Sequence, residues 1–318
     1  MKVIGRKRGY IMENVKDVII VGAGAAGMTA ALYAIRSGKN VTLFEGEAVG
    51  GQIANSPKVE NFPTIPEISG AELSDRMFDQ ISERGADIEY DKVISVKKRD
   101  DGIFEVKTDY DEFLAKAVIA ATGVKHKHIN VPGEKELSGK GVYYCALCDG
   151  NFYAGRETAV IGDGNTAMQY AVLLSNICSK VYVLTWMNKF FGDKALEKAM
   201  LARENIIHMP ETSVTAFEGN DKLESIVYTD KISGETKKLA VPAVFVAIGQ
   251  VPDNGIFSSL AELDKNGYFV SGEEACTKTE GFFVAGDCRA KKIRQLTTAV
   301  ADGAVAAVNA CSYIDKKF

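Results

Sequence analysis

Residues Asp17–Glu45 read DVIIVGAGAAGMTAALYAIRSGKNVTLFE, and residues Thr158–Thr185 read TAVIGDGNTAMQYAVLLSNICSKVYVLT. This pair decides the fold. Each opens on a short apolar run, Val18–Val21 or Ala159–Ile161, that reads as a buried strand. Glycines follow, where a chain must turn tightly and approach a ligand. Small and apolar residues at helical spacing come next, and then a second apolar run, Val41–Phe44 or Val181–Leu184. Both stretches are therefore strand, glycine turn, helix, strand.

The echo continues downstream. AVIAATGVK (Ala117–Lys125) and AVFVAIGQVPDN (Ala243–Asn254) are both buried-strand patterns that end in a glycine, and each closes its own unit. Two like units, the second starting inside the chain, imply an insertion. The expected class is α/β with parallel sheets, as two Rossmann-like nucleotide-binding domains with the second inserted into the first. The first domain is placed at 17–126 and 249–318, the second at 127–248, and residues 1–16 form a tail. KHKHINVPGE and GQVPDNG are the expected hinges, each with proline and glycine as breakers.

Composition bounds the rest. The chain has 318 residues, 46% hydrophobic and 25% charged, as in an ordinary globular enzyme. A net charge of −4 argues against nucleic acid, which requires a basic face. No apolar run approaches a membrane span. The start, MKVIGRKRGYIMENVKD, is basic but lacks an apolar core, so it is not read as a secretory signal, and Met12 is an alternative start. Of six cysteines only Cys145 and Cys148 are paired by spacing, a pattern suited to a reducing cytoplasm.

GAGAAG, Gly22–Gly27, lies directly between strand and helix. Its first glycine permits the turn, the second lets the backbone approach a pyrophosphate, and the third lets helix and strand pack. The helix N-terminus then turns N–H groups and its positive end toward the phosphates. Glu45, at the end of the next strand, can take ribose hydroxyls. In YYCALCDG, Cys145 and Cys148 stand two residues apart, suitable for a small-loop disulfide or two metal ligands. Zinc needs two further ligands, and no second pair or histidine set supplies them, so no metal is expected. A redox dithiol is the better reading, against two buried structural cysteines. Asp149 is a candidate proton shuttle beside it.

Together these pieces resemble the low-molecular-weight thioredoxin reductase family. The likeness runs from about residue 17 to near the end. It includes GGQ at Gly50–Gln52, VENFP at Val59–Pro63, ATG at Ala121–Gly123, CALCD, GDGNTA at Gly162–Ala167, and AGDCRAKKIRQLTTAVADGAVAA at Ala285–Ala307. It implies FAD in the first domain, held by Gly22, Gly24, Ala25, Ala26, Gly27, Glu45, Gly51, Gln52, Asn61, Ala121, Thr122, Gly123, Gly286, Asp287, Arg294, Gln295 and Leu296. It further implies that Cys148 is the flavin-facing sulfur, that Cys145 attacks a thioredoxin-type partner disulfide, and that the enzyme is a homodimer whose second domain swings against the first.

The sequence departs from that family in one place. Gly22 to Glu45 and Gly162 to Thr185 are equal intervals, so Thr185 stands where an NADH site carries an acid. The family's NADPH members typically carry an HRRxxxR-like run there. The three arginine positions here are Trp186, Met187 and Phe191. Charge-assisted hydrogen bonds contribute roughly 1.5–3 kcal/mol each, so losing two or three weakens NADPH binding by orders of magnitude. Asp163 adds a carboxylate between the glycines. The expected donor is therefore not NADPH. Reduced ferredoxin is favoured and a reduced deazaflavin is next, while NADPH held through Arg156, Lys189 or Lys194 is the conventional alternative. Trp186, Met187, Phe190 and Phe191 are each read as packing residues before a docking surface. His126 and His128 are expected to be solvated hinge histidines, and Cys288 to pack.

Overall fold

A computed structural model of the chain describes residues 15–54, 56 and 59–318. Most of the expected tail, and the alternative start at Met12, lie outside the described residues. Val15 and Lys16, assigned to that tail, instead begin the first strand. The described residues divide into two compact units, one formed by 15–54, Gly70–Val124 and Pro252–Phe318, the other by Ser56–Ser69 and Lys125–Val251.

In chain order the first unit begins with β1 (Val15–Val21), α1 (Ala25–Arg36), β2 (Val41–Phe44), α2 (Gly70–Ser82), β3 (Asp87–Glu89), β4 (Val93–Lys98), β5 (Phe104–Thr108) and β6 (Glu112–Ala120). The second unit follows with β7 (Lys125–His126), β8 (Val142–Tyr143), α3 (Ala146–Asp149), β9 (Glu157–Ile161), α4 (Asn165–Ser175), β10 (Lys180–Leu184), α5 (Lys194–Leu201) and β11 (Ile206–Met209). It ends with β12 (Thr212–Glu218), β13 (Ser225–Asp230), β14 (Thr236–Ala240), β15 (Val244–Val246) and β16 (Gln250–Val251). The chain returns to the first unit for β17 (Phe282–Val284) and α6 (Leu296–Lys317).

In the first unit the sheet order is β3-β2-β1-β6-β5-β4, with β17 also on β6. The long β6 serves two partners on one side. Its first half pairs antiparallel with β5, and its last residues pair parallel with β17. The second unit repeats the parallel part as β11-β10-β9-β15-β8 and adds a three-stranded antiparallel sheet, β12-β13-β14. The repeat read from the sequence is thus structural: β1, α1, β2 and β6 correspond to β9, α4, β10 and β15.

Small side chains explain how closely the first unit packs. Ala26 and Ala30 of α1 meet Gly303, Ala306 and Ala307 of α6 in one buried cluster. A Cβ at Gly303 would lie 2.2 Å from the Ala26 carbonyl oxygen, so the two backbones are in contact. Across the sheet, Phe104, Phe257, Phe269 and Phe282 fill a second cluster. The two segments expected as hinges are themselves joined: β7 and β16 pair antiparallel, Gln250 opposite His126 and Val251 opposite Lys125.

Candidate active site

The turn after β1 is built by its glycines. Gly22 has φ +107°, and a Cβ there would sit 2.5 Å from the Ala121 carbonyl oxygen. A Cβ at Gly27 would fall 1.8 Å from the Gly22 carbonyl oxygen. Gly24 differs, since nothing lies within 4 Å of the Cβ it lacks. The first and third glycines therefore serve the fold, and the second leaves open backbone at the N-terminus of α1, where N–H groups and the helix dipole favour a phosphate. Ala25 and Ala26 occupy the first two helical positions and are buried.

Glu45 closes the far side of this turn. Its carboxylate accepts the Ala23 N–H at 2.8 Å and the Glu47 N–H at 2.8 Å, and lone pairs remain for hydroxyl donors. Gly50 donates its N–H to the Ala23 carbonyl at 2.8 Å and bridges to Gly24, which brings Gly51 and Gln52 to the cradle. Ala121 continues the sheet, donating its N–H to the Val21 carbonyl at 2.8 Å. The Thr122 hydroxyl donates to Asn254 Oδ1 at 2.8 Å. Gly123, at φ +64°, borders open space. The segment that carries Asn61, Ser56–Ser69, clusters with the second unit, whereas the sequence reading keeps it in the first domain.

The return segment completes the cradle. Gly286, at φ +82°, leaves no room for a Cβ beside Ala26. Its N–H donates to Asp302 Oδ2 at 3.0 Å, and Asp302 also pairs with Arg289 at 2.7 Å and with Lys291 at 3.0 Å. Asp287 follows. Lys291 Nζ stands 3.3 Å from its Oδ1, near enough for an ion pair but not aligned as a hydrogen bond, so Oδ1 is buried without a donor among the described residues. Burial raises the Asp287 carboxyl above its usual range, against the pull of Lys291. Arg294 lies over the Tyr268 ring at 4.2 Å and donates to the Asp287 carbonyl at 3.1 Å. Gln295 caps α6 in a capping box with Thr298, so Leu296 opens the helix. The open Gly24 backbone, the Glu45 acceptor and the orphaned Asp287 oxygen fit a flavin dinucleotide.

Cys145 and Cys148 form a disulfide across the short helix α3. Cys145 caps that helix, its sulfur accepting the Cys148 N–H at 3.2 Å. Both cysteines are half-buried, and Leu147 between them is exposed. Asp149 is 6% exposed and its Oδ1 has no hydrogen-bond donor among the described residues. Burial pushes its pKa up to about 7. Burial, and then the Asp149 charge, push the Tyr170 phenol up to about 12. Cys178, Cys276, Cys288 and Cys311 are free thiols. Cys288 packs as expected, fully buried, and burial lifts its pKa.

The second glycine turn keeps the fold but rearranges the polar groups. Gly162, at φ +148°, again meets a facing carbonyl: a Cβ there would lie 2.4 Å from the Ala247 oxygen. Thr185 is fully buried and turned away from the turn. Its hydroxyl donates to the Met187 carbonyl at 2.7 Å and lies 2.9 Å from His208 Nε2. Asp163 reaches across to accept the Trp186 N–H at 2.9 Å. A cavity of about 440 Å³ persists here, lined by Asp163, Asn165, Thr166, Trp186, Thr212 and Ile248 among others. The packing expectation holds for Phe190, buried against His208, and fails for its neighbours. Trp186 is 56% and Phe191 54% exposed, and Met187 is exposed too. Lys231 and Lys189 cover those two rings at 4.1 Å and 5.2 Å, which keeps amphipathic side chains at the surface. His126 is also corrected. It is half-buried and stacked on Tyr144 at 5.1 Å, and burial pushes its pKa down to about 4.

Several residues here were not singled out from the sequence. Asp302 sits unmarked on a helix face. Asn254, 1% exposed, reads only as a turn residue in VPDNG, yet its side-chain amide donates to the Gly267 and Cys288 carbonyls at 2.9 and 3.0 Å. Glu134, 3% exposed in the hinge run, accepts the Ile129 and Asn130 N–H groups and the Tyr144 hydroxyl. A lone acid just after the Pro-Gly of that run was the available signal. Among the described residues no His, Cys, Asp and Glu group could hold a metal, and no helix is long and apolar enough to cross a membrane.

Residues 16–303 match the family described as Pyridine nucleotide-disulphide oxidoreductase. Thioredoxin reductase of Treponema pallidum (strain Nichols) is 41% identical over 96% of this chain and 99% of its own length. Thioredoxin reductase of Bacillus subtilis (strain 168) is 38% identical over 96% of each. The crystal structure of thioredoxin reductase from Streptococcus pyogenes MGAS5005 superposes with a TM-score of 0.92 at 34% identity, covering 95% of this chain and 99% of that one.

Proposed function

The chain belongs to the pyridine nucleotide-disulphide oxidoreductase family, and from that premise we propose that it carries electrons to a thioredoxin-type protein disulfide from a donor other than NADPH. It is an FAD-dependent disulfide oxidoreductase of the thioredoxin reductase kind. The observation that carries the chemistry is a disulfide, Cys145–Cys148, followed directly by a buried carboxyl whose pKa burial raises to about 7.

Bound FAD supplies two-electron chemistry between donor and disulfide. Its holders in this reading are Gly22, Gly24, Ala25, Ala26, Gly27, Glu45, Gly51, Gln52, Asn61, Ala121, Thr122, Gly123, Gly286, Asp287, Arg294, Gln295 and Leu296, within a domain of residues 17–126 and 249–318. Domain 127–248 carries the dithiol. Two electrons and two protons open the Cys145–Cys148 disulfide. Cys145, as thiolate, attacks one sulfur of the partner disulfide, and the partner's other sulfur leaves as a thiolate. Cys148 then attacks Cys145 Sγ, which re-forms the internal disulfide and releases the partner's second sulfur. Asp149 is the proton donor and acceptor for these sulfurs, since a carboxyl poised near neutral pH serves both directions. The free thiols outside the pair suit a reducing, cytoplasmic setting, and a homodimer belongs to the same reading.

The donor assignment is supported by the end of β10. Thr185 is committed to His208 and Met187, and the arginine positions that follow it hold Trp186, Met187 and Phe191. Reduced ferredoxin is the leading candidate. The conventional reading, an NAD(P)H-dependent enzyme, keeps one observation in its favour: the cavity of about 440 Å³ beside the glycine turn. Anaerobic mixing of the oxidised, FAD-loaded protein with NADPH, with NADH and with reduced ferredoxin separates them. Bleaching of the visible flavin band by ferredoxin alone is expected. Rapid bleaching by NADPH would return the conventional reading.

A further inference from the structure

We propose that Asp163 is the residue that sets donor specificity: its carboxylate is an internal anion, seated on the backbone N–H groups that an incoming dinucleotide would otherwise meet. The inference rests on the reading that NADPH is not the donor, and it assigns the cause.

The two glycine turns align in sequence and differ in where the acid stands. In the first, the acid is at the strand end. Glu45 reaches back to the Ala23 N–H between the glycines at 2.8 Å. In the second, the acid is between the glycines, at the position matching Ala23. Asp163 reaches forward to the Trp186 N–H at 2.9 Å, and the Met187 N–H also holds the carboxylate. The same bridge is made with donor and acceptor exchanged. The consequences are not the same. Carboxylate at the strand end accepts from neutral ribose hydroxyls. Asp163 instead fills the Trp186 and Met187 N–H groups at the strand end with a fixed negative charge, which repels any phosphate brought there.

The strand end offers nothing in return, because the Thr185 hydroxyl is spent on Met187 and His208. Other charges near Asp163 do not cancel it for a ligand. Lys231 donates to the Trp186 carbonyl at 3.0 Å and lies over the indole. His208 is half-buried against Phe190, which lowers its pKa. Yet the cleft remains, at about 440 Å³, with Asp163 and Trp186 in its wall. A cleft with the space for a nucleotide and an anion fixed on its strand-end N–H groups disfavours phosphorylated ligands and tolerates a neutral nucleoside.

Trp186 is the only tryptophan of the chain, so its emission reports on this cleft alone. The full-length oxidised holoprotein is titrated with NADP⁺, which cannot reduce the flavin, with calorimetry in parallel. Asp163→Asn keeps an acceptor oxygen and removes the charge; Asp163→Ala installs the residue of the first turn. Both are expected to bind NADP⁺ at least tenfold more tightly than the parent. Variants with the parental flavin content and Tm that bind no better would overturn the role of Asp163 and leave the donor reading standing. Micromolar binding of NADP⁺ by the parent would instead sink the donor reading. An arm without variants covers a folding defect. The parent should bind adenosine at least tenfold more tightly than 2′,5′-ADP, and equal affinities would overturn the inference.

Discussion

Asp149, the proposed proton shuttle, carries a consequence for stability. Its folded pKa of about 7 lies above that of an ordinary carboxyl, so across the intervening pH range the folded chain holds a proton that the unfolded chain has released. Stability therefore falls as pH rises through that window. Asp149→Asn should stabilise the oxidised protein, by an increment that grows by on the order of 2–4 kcal/mol between about pH 4.5 and about pH 8, read by denaturant unfolding. The same substitution should slow disulfide reduction by about 10²-fold or more and remove the fall in rate as pH rises past about 7, measured as turnover of a protein disulfide. A second contrast concerns two glycines in one turn. Gly27→Ala drives a Cβ into the Gly22 carbonyl and should lower Tm or prevent folding. Gly24→Ala meets open space, so it should preserve the fold and lower FAD affinity, read by flavin retention on dialysis.

The connectors are tied rather than loose. β7 and β16 pair, and Glu134 gathers the Ile129 and Asn130 N–H groups at 3.0 and 2.7 Å together with the Tyr144 hydroxyl at 3.0 Å. Tyr144 immediately precedes Cys145. Glu134→Ala would leave buried donors without an acceptor, about 1–3 kcal/mol each. Its Tm should fall by several degrees, and thiol accessibility at the pair, read by alkylation after reduction, should rise. An unchanged Tm would mean that water replaces the carboxylate. The hinge reading rests on the breakers Pro132, Gly133, Pro252 and Gly255, but proline and glycine report where regular structure stops, not which partner the backbone then finds.

Across the whole molecule the glycine cradle and the dithiol belong to different units. Each unit has its own buried clusters, with Val18, Ile20 and Ala306 in one and Val160, Leu174 and Phe245 in the other. Loss of both redox sulfurs should thus spare flavin binding. Cys145→Ser/Cys148→Ser is expected to load FAD to the parental ratio and to lose all protein-disulfide reduction. If it retained turnover, a flavin reductase that ignores the pair would be the better description.

The sequence by itself determined the α/β class and the repeated strand, glycine turn and helix, and its family resemblance implied the chemistry-bearing positions. Strand, glycine turn and helix are local patterns, and a positive φ or a forbidden Cβ is legible wherever glycine stands between apolar runs. Equal spacing also aligns the two units, so that Thr185 stands where the first unit carries Glu45. Direction was decided only in three dimensions. Asp163 turning to the Trp186 N–H, Thr185 turning inward to His208, Asp302 joining Gly286 to Arg289 and Lys291, and the burial that raises the Asp149 carboxyl all depend on neighbours brought together from distant parts of the chain. Side-chain orientation and desolvation are properties of that packed surrounding, and residue order encodes them only through the completed fold.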